Sequence, residues 1–257
     1  MKPEDECWSD DDCIGGGYCD SFEGHRVCND AVCGRPFLVD AAARVAPVVS
    51  CGDWNVSAEA PCVEHLTGRE REALAGHWSR LGQLEHASIA AFARFSLQLL
   101  SLGAPSDLVE QCTRALADET AHTKLCFRLA SAYAGRTLGP GALDITGSLA
   151  ATTLEEIVDL VLVEGCIGET SAALEALEAA DSASDPVIRA AYTQIAADEQ
   201  RHAALAFRFV RWALEQDAAL VAARIVAALA TTELSRSATR SVIEPCLSAL
   251  LTLHRAA

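Results

Sequence analysis

The sequence has no apolar run long enough to cross a bilayer as a helix; even the alanine-rich stretch after Asp217 is broken by Arg224 and closed by Glu233. Positive charge is scarce, with 20 basic against 36 acidic residues and a formal charge of −16. That balance argues against nucleic-acid backbones and anionic membranes, which attract clusters of Lys and Arg. Closely paired C-x2-C spacings are absent, which disfavours a zinc ribbon. Methionine occurs only at Met1, so no interior methionine is available to hold a haem. From Thr67 onward there is almost no strand signal.

What is present divides the chain unevenly. Of eleven cysteines, Cys7, Cys13, Cys19, Cys28, Cys33, Cys51 and Cys62 fall in the first quarter, and Cys112, Cys126, Cys166 and Cys246 are spread over the rest. Residues 1–35 hold too few aliphatics to build a core and need cross-links, for which disulfides are the expectation. An odd set of seven cannot pair completely within itself. The run Asp10, Asp11, Asp12 reads as a solvated turn before it reads as a calcium site. Residues 36–66 form a linking arm to which the sequence assigns no chemistry, and the sequon at Asn55 is weak.

Residues 67–257 read as a helical domain with extra helices at its C-terminal end. Thr67 and Glu70 form a capping box for a helix to about Leu102, and a second helix runs from about Ser106 to Ala134. A Gly- and Pro-rich connection of about 14 residues follows. Thr153 with Glu156 then caps a third helix ending near Asp181, and Asp185-Pro186 opens a fourth. Two hairpins of helices joined by one long crossover predict an all-α, four-helix bundle.

Chemistry is concentrated in a repeated pattern. On the second helix Leu108, Cys112, Ala115, Glu119, His122, Cys126, Leu129 and Tyr133 advance by alternating steps of four and three, which makes one inward stripe. On the fourth, Ile188, Tyr192, Ile195, Glu199, His202, Ala206 and Phe209 do the same. Each Glu-x-x-His pair has a lone glutamate one helix earlier: Glu85 lies 34 residues before Glu119, and Glu164 lies 35 before Glu199. Uncompensated buried carboxylates cost several kcal/mol each, about enough to unfold a domain together. Neither stripe carries Lys or Arg, so two divalent cations are the expected compensation, and a mixed oxygen and nitrogen donor set suits iron or manganese.

Two resemblances follow from these motifs. CWSDDDCIGGGYC resembles short cysteine-rich modules of exported lipoproteins and colipase-like domains, which implies an extracytoplasmic location and a leader already removed. Residues 69–215, with the doubled ExxH, resemble the ferritin-like di-iron carboxylate superfamily. That likeness implies metal ligands at Glu85, Glu119, His122, Glu164, Glu199 and His202, with Glu119 and Glu199 bridging two iron ions, or manganese as the alternative.

It further implies an oxidoreductase that activates dioxygen or peroxide, with an oxygenase or hydroxylase favoured. A ferroxidase or metal-handling protein, a di-manganese catalase, and a non-enzymatic binding module stabilised by metal are the other readings. No catalytic residue is expected beyond the metal ligands. An electron donor and a small-molecule or peptide substrate are required by the favoured reading but not identified by sequence, and neither is the oligomeric state. Asp118 and Asp198 read either as surface acids or as acceptors for the opposite histidine. Tyr192 and Cys112 read as core before relay, and His86 and Glu169 as one position off the seam.

Overall fold

The computed structural model describes residues 34–56, 59–231 and 239–256, and the backbone of residues 18–22 and 25–29. The chain divides into two units, Met1–Val32 and Cys33–Ala257. In the first unit β1 (Tyr18–Phe22) pairs antiparallel with β2 (His25–Asn29), in a register that sets Cys19 opposite Cys28. The expected disulfides among Cys7, Cys13, Cys19, Cys28 and Cys33, and the Asp10–Asp12 turn, lie outside the described residues.

The second unit is predominantly helical. The helix α1 (Gly68–Ser101) begins at a capping box in which Thr67 Oγ1 accepts from the Glu70 amide and the Glu70 carboxylate accepts from the Thr67 amide. After it, α2 (Ser106–Ala134) ends at Gly135, whose φ of 66° is the left-handed conformation that closes a helix. The third helix starts as α3 (Leu154–Leu160), capped by the second box at Thr153 and Glu156. It passes through a π-helical segment, Val161–Glu169, into α4 (Thr170–Ser182). Asp185 caps α5 (Pro186–Gln216) by accepting from the amides of Val187 and Ile188. The chain closes with α6 (Ala218–Thr231), a short π turn, and α7 (Glu244–Ala256).

These helices pair by their apolar stripes: α1 lies along α2, the third helix along α5, and α2 along α5. Phe92, Phe95, Leu99, Ile157, Leu162, Phe209 and Val210 are buried where they meet, with Phe95 and Phe209 edge to face at 5.2 Å. From the C-terminal helices Val221, Ile225, Ile243 and Leu247 add to the same core. Burying each such side chain contributes about 1.5–3 kcal/mol.

The arm is built into this unit rather than draped over it. Its strands β3 (Leu38–Val39) and β4 (Ala42–Ala43) form a hairpin, and β5 (Val48–Val49) pairs with β6 (Gly139–Pro140) of the crossover connection. The Gln83 side chain donates to the Ala46 carbonyl at 2.6 Å, and Arg44 meets Asp144 at 2.8 Å. Asn55 of the sequon donates to the Leu138 carbonyl at 3.0 Å, which fixes this end of the arm to the same connection.

Candidate metal centre

The periodicity of α1, α2 and α5 delivers its acids and imidazoles to one interior point. Glu85 from α1, Glu119 and His122 from α2, and Glu199 and His202 from α5 are all buried there. They assemble two groups that could hold a metal ion: Glu85, Glu119, His122 and Glu199, and then Glu119, Glu169, Glu199 and His202. In each group one ligand atom per residue lies within 4.8 Å of the others, and Glu119 and Glu199 belong to both.

Both histidines turn Nδ1 inward. His122 Nδ1 lies 3.4 Å from Glu85, 3.5 Å from Glu199 and 3.8 Å from Glu119. His202 Nδ1 lies 3.0 Å from Glu119 and 3.5 Å from Glu199. Their outer nitrogens cross between helices to the acids that precede each motif glutamate: His122 Nε2 meets Asp198 at 2.8 Å, and His202 Nε2 meets Asp118 at 3.2 Å. Arg201 pairs with both aspartates and holds them on the rim. An Nε2–H donated to a carboxylate fixes the tautomer that leaves Nδ1 with its lone pair free for a cation.

The interior atoms are otherwise without hydrogen bonds. Both carboxylate oxygens of Glu85, Glu119, Glu169 and Glu199, and Nδ1 of His122 and His202, are buried with no hydrogen-bond partner. Leaving even one such group unsatisfied costs about 1–3 kcal/mol, more where it is charged. Burial, then Glu199 and Glu85, push the Glu119 carboxyl well above the ordinary range, and burial with Glu199 does the same to Glu169. Burial opposes charge on His122 and His202, but Asp198 with Glu199 and Asp118 with Glu119 raise both well above the usual imidazole value. Glu199 is held low despite its burial, by Glu169 and the two histidines. The protein alone therefore satisfies this cluster by retaining protons, and oxygen- and nitrogen-preferring cations are what the donor set fits.

The structure departs from the expected set at Glu164. That residue is buried, but its carboxylate pairs with Arg94 and accepts from the Leu38 amide at 3.1 Å. Glu169 takes the place facing the cluster. The π-helical segment is the reason: five residues along an α-helix advance about 500°, which leaves the fifth side chain about 140° away from the first. A π turn, hydrogen-bonded from i to i+5, brings residues five apart much closer to one face. Glu164 and Glu169 are thus both buried, one serving the arm and one the cluster.

The arm supplies what sequence reasoning missed. Gly34 has a φ of 69°, and a Cβ there would stand 2.7 Å from Ser88 Oγ and 3.4 Å from Glu85 Oε2, so only glycine lets the backbone cross this close to the site. The next residue, Arg35, is buried, and its Nε lies 3.8 Å from Glu169. Leu38 is clamped at both backbone groups, since Arg94 donates to its carbonyl at 2.6 Å while Glu164 takes its amide. The ion pairs judged absent from the ExxH stripes come instead from α1 and the arm. GRPF carries no periodicity that reveals this role; a lone arginine between apolar residues is its only signal.

The other residues singled out by sequence belong to neither ligand group. The Tyr192 hydroxyl meets His77 at 2.6 Å and its ring packs on Trp78 at 4.9 Å. Cys112 packs against Ser96 and the Phe92 carbonyl. His86 sits edge to face with Trp54. Cys51, Cys62, Cys112, Cys126, Cys166 and Cys246 are free thiols. No helix among the described residues is long and apolar enough to cross a membrane. No protein-family model matches the chain, and no curated protein or solved structure is significantly similar to it.

Proposed function

We propose that the helical unit is a ferritin-like four-helix bundle with a dinuclear non-haem metal centre, iron in preference to manganese, and that the protein is an oxidoreductase of the oxygenase type. One observation carries the reading: two ligand groups share Glu119 and Glu199, and their buried oxygen and Nδ1 atoms have no hydrogen-bond partners among the described residues. Glu85, Glu119, His122, Glu169, Glu199 and His202 would hold the metals, Glu119 and Glu199 being common to both groups. A pair of such metals supplies two-electron reduction of dioxygen or peroxide.

The chain's own part is to position donors and exclude water. Asp198 and Asp118 hold the Nε2 protons of the histidines, so each Nδ1 would be offered to a metal as a neutral donor. Arg94 and Glu164 fasten the arm across the cluster, and the ligands are buried under it. No hydroxyl or thiol is called on as a covalent nucleophile. The cysteine-rich N-terminus supports an extracytoplasmic location, where disulfides persist.

The test is metal content per folded chain, followed by anaerobic iron(II) loading and measurement of oxygen uptake. Two ions per chain, with about one oxygen consumed per iron(II) pair on first exposure and further uptake only in proportion to an added electron donor, is the expected result. Iron accumulating without limit in a large assembly indicates storage instead, and oxygen released from peroxide indicates a catalase. A folded chain that takes up no metal overturns the reading.

A further inference from the structure

The two ligand groups match donor for donor, with Glu85 and His122 on one side and Glu169 and His202 on the other, but their surroundings differ. Beside Glu169 stands Arg35, 2 % exposed, its guanidinium carbon 4.8 Å from the Phe92 ring centre and 4.6 Å from that of Phe95. Its Nε is 3.8 Å from Glu169 and has no hydrogen-bond partner. The seat is built: a Cβ on Gly165 would stand 2.6 Å from Arg35 Nη2, so glycine in the π-helical segment makes the room. Among the described residues, the charged partner of Glu85 is His122 alone.

The second difference is access. The Phe92 ring lies edge to face with His202 at 5.1 Å and also carries the Arg35 guanidinium over its face. His202 also lines a surface cavity of about 330 Å³ with Asp118, Arg114, Arg201 and Arg208. Its anchoring contact to Asp118 is 3.2 Å long and Asp118 is 29 % exposed, whereas His122 is anchored to Asp198 at 2.8 Å and Asp198 is 12 % exposed.

We infer that Arg35 is a resident cation that weakens the Glu169–His202 ion position relative to the Glu85–His122 position, so that the outer ion is labile and the inner one retained. The inference rests on the dinuclear reading above. A fixed positive charge a few ångströms from a divalent ion opposes it even at a high effective dielectric, and a gap of about 10- to 100-fold in Kd is expected. At limiting metal the chain carries one ion, and the outer position fills and empties through the cavity beside His202.

The experiment titrates the full chain, stripped by chelator, with manganese(II) alone, counting bound ions before and after desalting. Two separated steps are expected in the wild type, with only the first ion surviving desalting. Arg35→Met should close the gap and retain the second ion, while Arg35→Lys, which keeps the charge, should preserve the gap. Should Arg35→Met fail to fold, Glu169→Gln is expected to abolish only the weak step and Glu85→Gln the tight one. Two equal ions in the wild type, an unchanged second Kd in Arg35→Met, or loss of the tight step in Glu169→Gln overturns the inference. A folded wild type that binds no manganese overturns it together with the dinuclear reading.

Discussion

At the scale of single residues, the two histidines are oriented by aspartates that belong to the opposite helix. Removing such a partner leaves the donor atom in place but frees its tautomer and ring orientation, which costs metal affinity about 10–100-fold. Asp198→Ala is therefore expected to weaken the ion held by His122, and Asp118→Ala the ion held by His202, as read by competition with a chromogenic chelator. The two glutamates of the π-helical segment separate in the same way. Glu169→Gln should lower metal bound per chain and leave the fold near its original stability, because a neutral amide replaces a carboxyl that burial and Glu199 already push toward its neutral form. Glu164→Ala should leave the metal count unchanged but destabilise by about 3–5 kcal/mol in denaturant, since Arg94 stays buried with its charge unpaired. If Glu164→Ala lost metal while Glu169→Gln kept it, the assignment of the two residues would be reversed.

At the scale of elements, the π-helical segment fits three things at once: Ala206 of α5, Arg35 of the arm, and the cluster itself. A Cβ on Gly165 would stand 2.6 Å from both Ala206 Cβ and Arg35 Nη2. Gly165→Ala is accordingly expected to lose about 1–3 kcal/mol through overpacking. Gly76→Ala in α1, where an added Cβ meets nothing within 4 Å, should gain about 0.5–1 kcal/mol from helix propensity alone. Paired thermal melts check both signs. The same segment marks where the sequence stops being legible. Capping boxes at Thr67 and Thr153, the Asp185-Pro186 start, and the ExxH stripes are local signals with fixed spacing, so helices and five of the six proposed ligands can be read directly. The spacing of 35 residues before Glu199 selects Glu164, and the change of period that favours Glu169 has no local signature beyond two glycines. Arg35 is less legible still, because its role depends on an arm that returns to the core from outside any periodic element.

At the scale of the whole molecule, a cluster that satisfies itself with protons makes stability depend on pH in a direction set by the pKa shifts. Glu119 and Glu169 are raised well above the ordinary glutamate value of 4.5, so the folded chain binds their protons where the unfolded chain does not. His122 and His202, raised well above the ordinary value of 6.5, act in the same sense. Such groups stabilise fully below their unfolded pKa and lose that contribution as pH climbs through the folded one. Glu199 acts oppositely, but its contribution is complete above the unfolded value of 4.5 and is lost only below it. Metal-free protein should therefore melt at progressively lower temperature between about pH 5 and about pH 8. Cations replace those protons, so metal affinity rises as pH rises, and saturating metal should flatten or reverse the slope. At about 100 times Kd, one bound ion adds about 2.7 kcal/mol, which for a unit of this size raises Tm by about 5–10 °C. Calorimetry with and without manganese(II) across that pH range reads both effects. A metal-free Tm that climbs with pH, or an added metal that leaves Tm unmoved at the upper end, would show that neither protons nor cations hold the cluster together.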